Sequence, residues 1–395
     1  MIAKHMKKLT ESGSAIRAMF EEGKKMARER GKDHVFDFSL GNPNTPPPEK
    51  IKEAAIAILQ EEDPIRLHGY MSNVGYEEVR DQVAQNLNRR FGTALTREHL
   101  IMTVGAAGSL NIALKTIIEA GDEVLLLAPF FGEYIHYVQN YQGVPVIVAP
   151  DIPNFSLNLT DIESKITAKT KALIINSPNN PTGVIYPPAD IERLAQLLRQ
   201  KEKEYGHAIY LISDEPYREI VFDGAAVPFL PQYYDNTFVC YSYSKSLSLP
   251  GERIGYLLIA PTMDAFEEVA AAAAVAIRIL GFVNAPSLMQ QVIGRCADAL
   301  SDMTVYKENK EILYRELTAM GYAMVEPQGA FYMFPQSPTA DETVFCEAAK
   351  EYGILVVPGR TFACPGYFRL AFCVAKQTVQ GALPGFKALM ERFGH

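Results

Sequence analysis

Several features that would point to a function are missing from this chain. Its five cysteines (Cys240, Cys296, Cys346, Cys364 and Cys373) are scattered over 395 residues. They form no CxxC pair and no metal-ligand spacing, so buried, reduced thiols in a cytoplasmic protein are expected. The seven histidines include no HExxH-type pair, which leaves a metal site without support. No GxGxxG follows a strand, so a dinucleotide fingerprint is missing too. The formal net charge is −8 and no Lys/Arg run is dense, which argues against a nucleic-acid surface. No apolar stretch reaches 18 residues, and the charged segment 1–30 lacks the apolar centre of a signal peptide, so no membrane span or secretion is expected. Internal repeats and low-complexity tails are absent as well.

What remains is the composition of an ordinary globular protein, 48% hydrophobic and 21% charged, long enough for two domains. Short apolar runs at Val124–Ala128, Val144–Val148, Ala172–Asn176, Ala208–Ser213, Phe238–Tyr241 and Ile254–Ile259 are bounded by turns. Runs of this kind read as strands buried on both faces of a largely parallel sheet. Helical patterns lie at Leu110–Glu119, Asp190–Tyr205 and Asp264–Leu280. The expected architecture is an α/β domain over 47–285. A smaller α+β domain is expected from 1–46 together with 286–395, containing strand-like Gly329–Phe334, Ile354–Val357 and Phe368–Phe372. Four prolines stiffen the connecting segment Ser39–Pro48. A ligand should sit beyond the carboxyl ends of the strands, in the crevice between domains.

The chemistry is concentrated around Lys245, in Tyr241-Ser-Tyr-Ser-Lys-Ser246 followed by Gly251-Glu-Arg-Ile-Gly255. A lysine amine condenses with an aldehyde, and a seryl hydroxyl (Ser242) with an arginine (Arg253) can hold a phosphate. Aldehyde and phosphate on one small molecule describe pyridoxal 5′-phosphate (PLP). Such a cofactor also needs an anion at its pyridine nitrogen, an apolar face and a hydrogen bond to its phenolic oxygen. Asp214, in Ser213-Asp-Glu-Pro-Tyr217, lands at the end of a strand, where its carboxylate would keep a pyridine nitrogen protonated. Thr103-Val-Gly-Ala-Ala-Gly-Ser109 brings small residues to a helix start, where main-chain N–H groups can meet a phosphate. Phe368-Arg369-Leu370 sets a guanidinium between apolar residues, suited to a bidentate bond with a carboxylate.

Taken in order from Gly41 to Arg369, these segments resemble the class I/II aminotransferases, PLP enzymes of fold type I. The resemblance implies a seven-stranded, mostly parallel sheet between helices, plus a smaller domain built from both termini. Lys245 is then the catalytic lysine. Ala106 and Ala107 bind phosphate through main-chain amides. Relatives commonly carry a hydroxyl at the position of Ala107, which implies one phosphate hydrogen bond fewer here. Phe131, in Ala128-Pro-Phe-Phe-Gly-Glu-Tyr134, stacks on the cofactor ring. Asn180, in Asn176-Ser-Pro-Asn-Asn-Pro-Thr-Gly183, and Tyr217 hydrogen-bond its phenolic oxygen, and Asn180-Pro181 is expected to be cis. Tyr70, in Tyr70-x4-Gly75, reaches the phosphate of a neighbouring subunit, so a homodimer with shared sites is implied. Gly41 and Arg369 meet the substrate, Arg369 through the α-carboxylate.

The activity implied is transfer of an amino group between an L-amino acid and a 2-oxo acid. Aspartate or glutamate with 2-oxoglutarate are the expected substrates, and alanine-type or aromatic ones come next. Arg278, six residues before Asn284, resembles an arginine that one aspartate aminotransferase subgroup supplies across the dimer. Arg17 is the other candidate for a distal carboxylate. A PLP-dependent C–S β-lyase, an aminocyclopropane-carboxylate synthase and a PLP-binding regulatory protein share much of this motif set and stand as alternatives.

Overall fold

A computed structural model describes residues 2–12 and 15–394. At its centre lie seven strands in the spatial order Leu100–Thr103, Gly255–Ile259, Thr237–Ser242, Tyr210–Asp214, Thr170–Asn176, Glu123–Leu127 and Val144–Val148. Every neighbouring pair is parallel except the two that Gly255–Ile259 makes. The seven-stranded, mostly parallel α/β sheet is therefore present. The strand Leu100–Thr103 has no counterpart among the apolar runs read from sequence. It is four residues long and directly follows the charged turn Arg97-Glu98-His99, so it offers little pattern to detect.

Alternation along the strands divides the sheet between two helical layers. Val124 and Leu126 face the helices Ala106–Ile117 and Phe266–Ile279. Leu125 and Leu127 face the opposite side, where Ile191, Leu194 and Leu198 of helix Pro188–Tyr205 cover them. Further along that side, Val239, Tyr241 and Leu258 meet helices Glu49–Glu61, Glu77–Phe91 and Ser287–Cys296. Burial on both faces explains why these strands read as continuous apolar runs.

A separate apolar cluster joins the two ends of the chain. Phe38 packs with Tyr306, Phe331, Phe345, Phe368, Phe386 and Leu389, and the cluster extends to Tyr217 and Phe222. Strand Phe36–Asp37 pairs in parallel with Ile354–Leu355, and Phe368–Ala371 runs antiparallel to Tyr332–Met333. The expected run Gly329–Phe334 thus contributes only two strand residues. Ile354–Val357 divides into two short strands, Ile354–Leu355 and Val357–Pro358. All five cysteines are buried and free.

Candidate active site

Parallel strands bring their carboxyl ends to one edge of the sheet, and the register there is tight. Asn176 pairs with Asp214, and Asp214 with Cys240, two residues before Ser242. Beyond this edge lies a cavity of ≈ 270 Å³. Gly41, Ala106, Ala107, Phe131, Asn180, Asp214, Tyr217, Ser242, Lys245, Arg253 and Arg369 all line it. These are the sequence-predicted site residues apart from Tyr70, Arg278 and Arg17. Tyr70 is 95% exposed and Arg278, on the helix Phe266–Ile279, is exposed as well. Both stand away from this chain's own cavity. Arg17 belongs to the helix Ala15–Arg30, but its side chain lies outside the described residues.

Asp214 divides its two oxygens between different tasks. Its Oδ2 accepts a hydrogen bond from the Tyr134 hydroxyl at 2.5 Å, whereas its buried Oδ1 has no partner. Burial pushes the carboxyl up to about 7, and the Tyr134 hydrogen bond opposes that rise. Glu215, next in sequence, turns the other way into a buried pair with Arg218, and Ser213 Oγ donates to it at 2.7 Å. The acidic dipeptide thus holds one structural carboxylate and one that faces the cavity.

Lys245 rides on the short helix Tyr243–Ser246, where the Ser242 hydroxyl accepts from the Ser244 N–H. Its Nζ donates to the Gly41 carbonyl at 2.7 Å. Burial lowers the amine to about 8, with Arg253 and Arg369 adding to the effect. A Cβ on residue 41 would lie 1.9 Å from the Tyr332 hydroxyl, so only glycine fits beside the amine.

Arg369 is nearly fully buried and has no carboxylate partner among the described residues. Its Nη1 donates to Asn180 Oδ1 at 3.0 Å and its Nη2 to the Ser39 carbonyl at 2.5 Å, while Nε is unpartnered. Tyr332 and Phe362 flank the guanidinium at 4.6 and 4.8 Å. Burying an unpaired cation is costly, and the site is therefore built for an anion supplied from outside. Asn180 is held by its own N–H on Asn176 Oδ1 at 2.7 Å, and the Asn180-Pro181 bond is cis as expected.

At the other end of the cavity, Gly105 turns the chain from strand into the helix that starts at Ala106, with φ 81 and ψ 177. Arg253 Nη1 donates to Ser244 Oγ at 3.3 Å, and Ser242 Oγ donates to Ser244 Oγ at 2.8 Å. Two hydroxyls, a guanidinium and a helix N-terminus converge there, a donor set suited to a phosphate. The lining residues that sequence reasoning missed include Tyr134, Tyr137, Ser244 and Tyr332. The first two lie three residues apart on the helix Glu133–Asn140, just after Phe131, so helical spacing could have found them. Tyr332, whose hydroxyl lies 2.9 Å from that of Tyr217, is 115 residues distant and gives no local signal.

The comparisons with known proteins agree with this geometry. Residues 33–384 match the family Aminotransferase class I and II. The aspartate/prephenate aminotransferase of Thermus thermophilus is 31% identical over 92% of this chain and 93% of its own. An amino transferase structure from Eubacterium rectale superposes with a TM-score of 0.98 at 43% identity, covering 100% of both chains. The aspartate aminotransferase structure from Thermotoga maritima gives 0.87 at 28%, covering 99% of this chain and 100% of its own. On the family match, this chain belongs to the class I and II aminotransferases and is a transaminase of the aspartate aminotransferase-like fold.

Proposed function

We propose that the cavity holds PLP and that the protein moves an amino group between an acidic L-amino acid, aspartate or glutamate, and 2-oxoglutarate. The observation that carries this reading is the set of three groups lining one cavity: the Lys245 amine, Asp214 with its unpartnered Oδ1, and the buried Arg369 guanidinium with its unpartnered Nε. PLP fits these residues. A pyridinium N–H would satisfy Asp214 Oδ1, and Ser242, Arg253 and the amides of Ala106 and Ala107 would take the phosphate. Phe131 would cover the ring, and Asn180 and Tyr217 would bond its phenolic oxygen. When bound, this cofactor supplies an electron sink that makes the substrate's Cα–H acidic.

The chain's own residues do the rest. Arg369 fixes the α-carboxylate, aided by Asn180, which orients its guanidinium. With an amine lowered to about 8, Lys245 is neutral in a sizeable fraction near physiological pH and can take the proton from Cα at its Nζ. Gly41 lets the N-terminal segment approach the substrate beside that amine, where a Cβ would collide with the Tyr332 hydroxyl. The substrate-closing unit we propose comprises 1–46 and 286–395, with its helix Ser287–Cys296 packed on helices Glu49–Glu61 and Glu77–Phe91 of the large domain of residues 47–285. Tyr70 serves the site of a second copy in a homodimer, working in the cytoplasm. The distal carboxylate is read by Arg278 of that copy or by Arg17, since Lys245, Arg253 and Arg369 are the lysines and arginines among the residues lining this chain's cavity. Support for acidic substrates comes from the aspartate aminotransferases among its relatives.

The test is the visible spectrum of the purified protein during single additions of aspartate, glutamate, alanine, phenylalanine and cystathionine, without any oxo acid. Conversion of the cofactor to its amino form by aspartate or glutamate is the expected result. Pyruvate and ammonia released from cystathionine alone would make the protein a C–S lyase, and a spectrum indifferent to all five would favour a regulatory role. Arg278→Ala should impair aspartate far more than alanine. Equal losses would remove it from side-chain recognition.

A further inference from the structure

We propose that Tyr137 supplies the phosphate hydrogen bond that Ala107 leaves out. The assignment rests on the PLP reading above and concerns a residue that sequence comparison of motifs does not single out.

Helices Ala106–Ile117 and Glu133–Asn140 both start at the carboxyl edge of the sheet and lead away from it. Their register is fixed one turn further in, where the Tyr141 hydroxyl donates to Asn111 Oδ1 at 2.9 Å. Asn111 in turn donates from its Nδ2 to the carbonyl of Ala107 at 2.9 Å. Residues four apart on a helix lie on one face, so stepping back four places pairs Tyr137 with Ala107. Both residues line the same cavity as Ser242, Ser244 and Arg253, and Tyr137 is close enough to feel the Arg253 charge. The Tyr137 hydroxyl makes no hydrogen bond among the described residues, in contrast to the hydroxyls of Tyr134 on the same helix and of Tyr141 just after its end.

The electrostatics agree with that placement. Burial pushes the Tyr137 phenol up to about 12, Glu133 and Asp214 add to the rise, and the Arg253 guanidinium opposes it. The phenol therefore keeps its proton at working pH and can donate to a phosphate oxygen. A methyl at position 107 with a phenol beside it does the work of a hydroxyl at 107, with the donor moved to the neighbouring helix.

The experiment compares cofactor capture by the cofactor-stripped full-length protein and its Tyr137→Phe variant, titrated with PLP and, separately, with pyridoxal, which lacks the phosphate. Tyr137→Phe should bind PLP roughly tenfold more weakly, the effect of one charge-assisted hydrogen bond, while pyridoxal binding stays unchanged. Adding Ala107→Ser to the variant should recover part of the loss. If Tyr137→Phe leaves the PLP-to-pyridoxal preference at the wild-type value, or weakens both compounds equally, the assignment is overturned. A wild-type protein that captures neither compound would instead overturn the cofactor reading beneath it.

Discussion

Lys245 is an amine kept in a place that disfavours its charged form, and this has a cost that can be measured. Its folded value is about 8 against an ordinary 10.5, so between those pH values the unfolded chain binds the extra proton. The penalty is therefore full below pH 8 and fades as pH rises towards 10.5. In the cofactor-free protein, Lys245→Met should raise stability at pH 7 by up to about 3 kcal/mol and give almost no gain at pH 10.5. Urea unfolding at the two pH values checks this, and a pH-independent gain would refute it. Asp214→Asn keeps the shape and removes the anion. It should slow the single-substrate reaction with aspartate by at least about 100-fold in stopped-flow measurements while leaving the fold intact. Both residues were legible in sequence because their neighbours are: a lysine between two serines, with Ser242 three places before it, and an aspartate ending an apolar run. Tyr332 was not, because its contact with Tyr217 is made by tertiary folding alone.

Elements carry these residues with little tolerance at their joints. At Gly105 the chain turns from strand to helix in a backbone region that L residues avoid, and a Cβ there would lie 2.8 Å from Arg253 Nη2. Gly105→Ala should cost at least about 2 kcal/mol and weaken PLP capture as Arg253 is displaced. Gly206→Ala makes the contrast. This residue ends helix Pro188–Tyr205 with φ 75 but has nothing within 4 Å, so the loss should stay near 1 kcal/mol, with cofactor capture unchanged. Comparing urea midpoints and PLP titrations for the pair separates backbone strain from collision with the site. At this scale, sequence patterns found the buried parallel strands because burial on both faces leaves continuous apolar runs. The strands near the chain ends are only two to four residues long, too short for any period to register.

For the whole molecule the open question is whether one chain completes a site. Tyr70 is 95% exposed and aimed at no group of its own cavity, so in the dimer we propose its partner is another subunit's phosphate. Mixing inactive Lys245→Ala with weakened Tyr70→Ala chains, unfolded and refolded together, should then restore roughly a quarter of wild-type activity. Half of the dimers are mixed, and each holds one intact site. Activity that never exceeds the sum of the separate variants would show that sites are not shared. The order of residues along the chain has a consequence for biosynthesis. The cavity-lining side chains from Ala106 to Arg253 have all been made before residue 260 is added, whereas Tyr332 and Arg369 come much later. Arg369 then docks on the Ser39 carbonyl, 330 residues upstream. On the function we propose, a nascent chain therefore holds the parts for capturing a cofactor well before it can grip an amino acid, and the N-terminal segment must wait for the last strand to be translated.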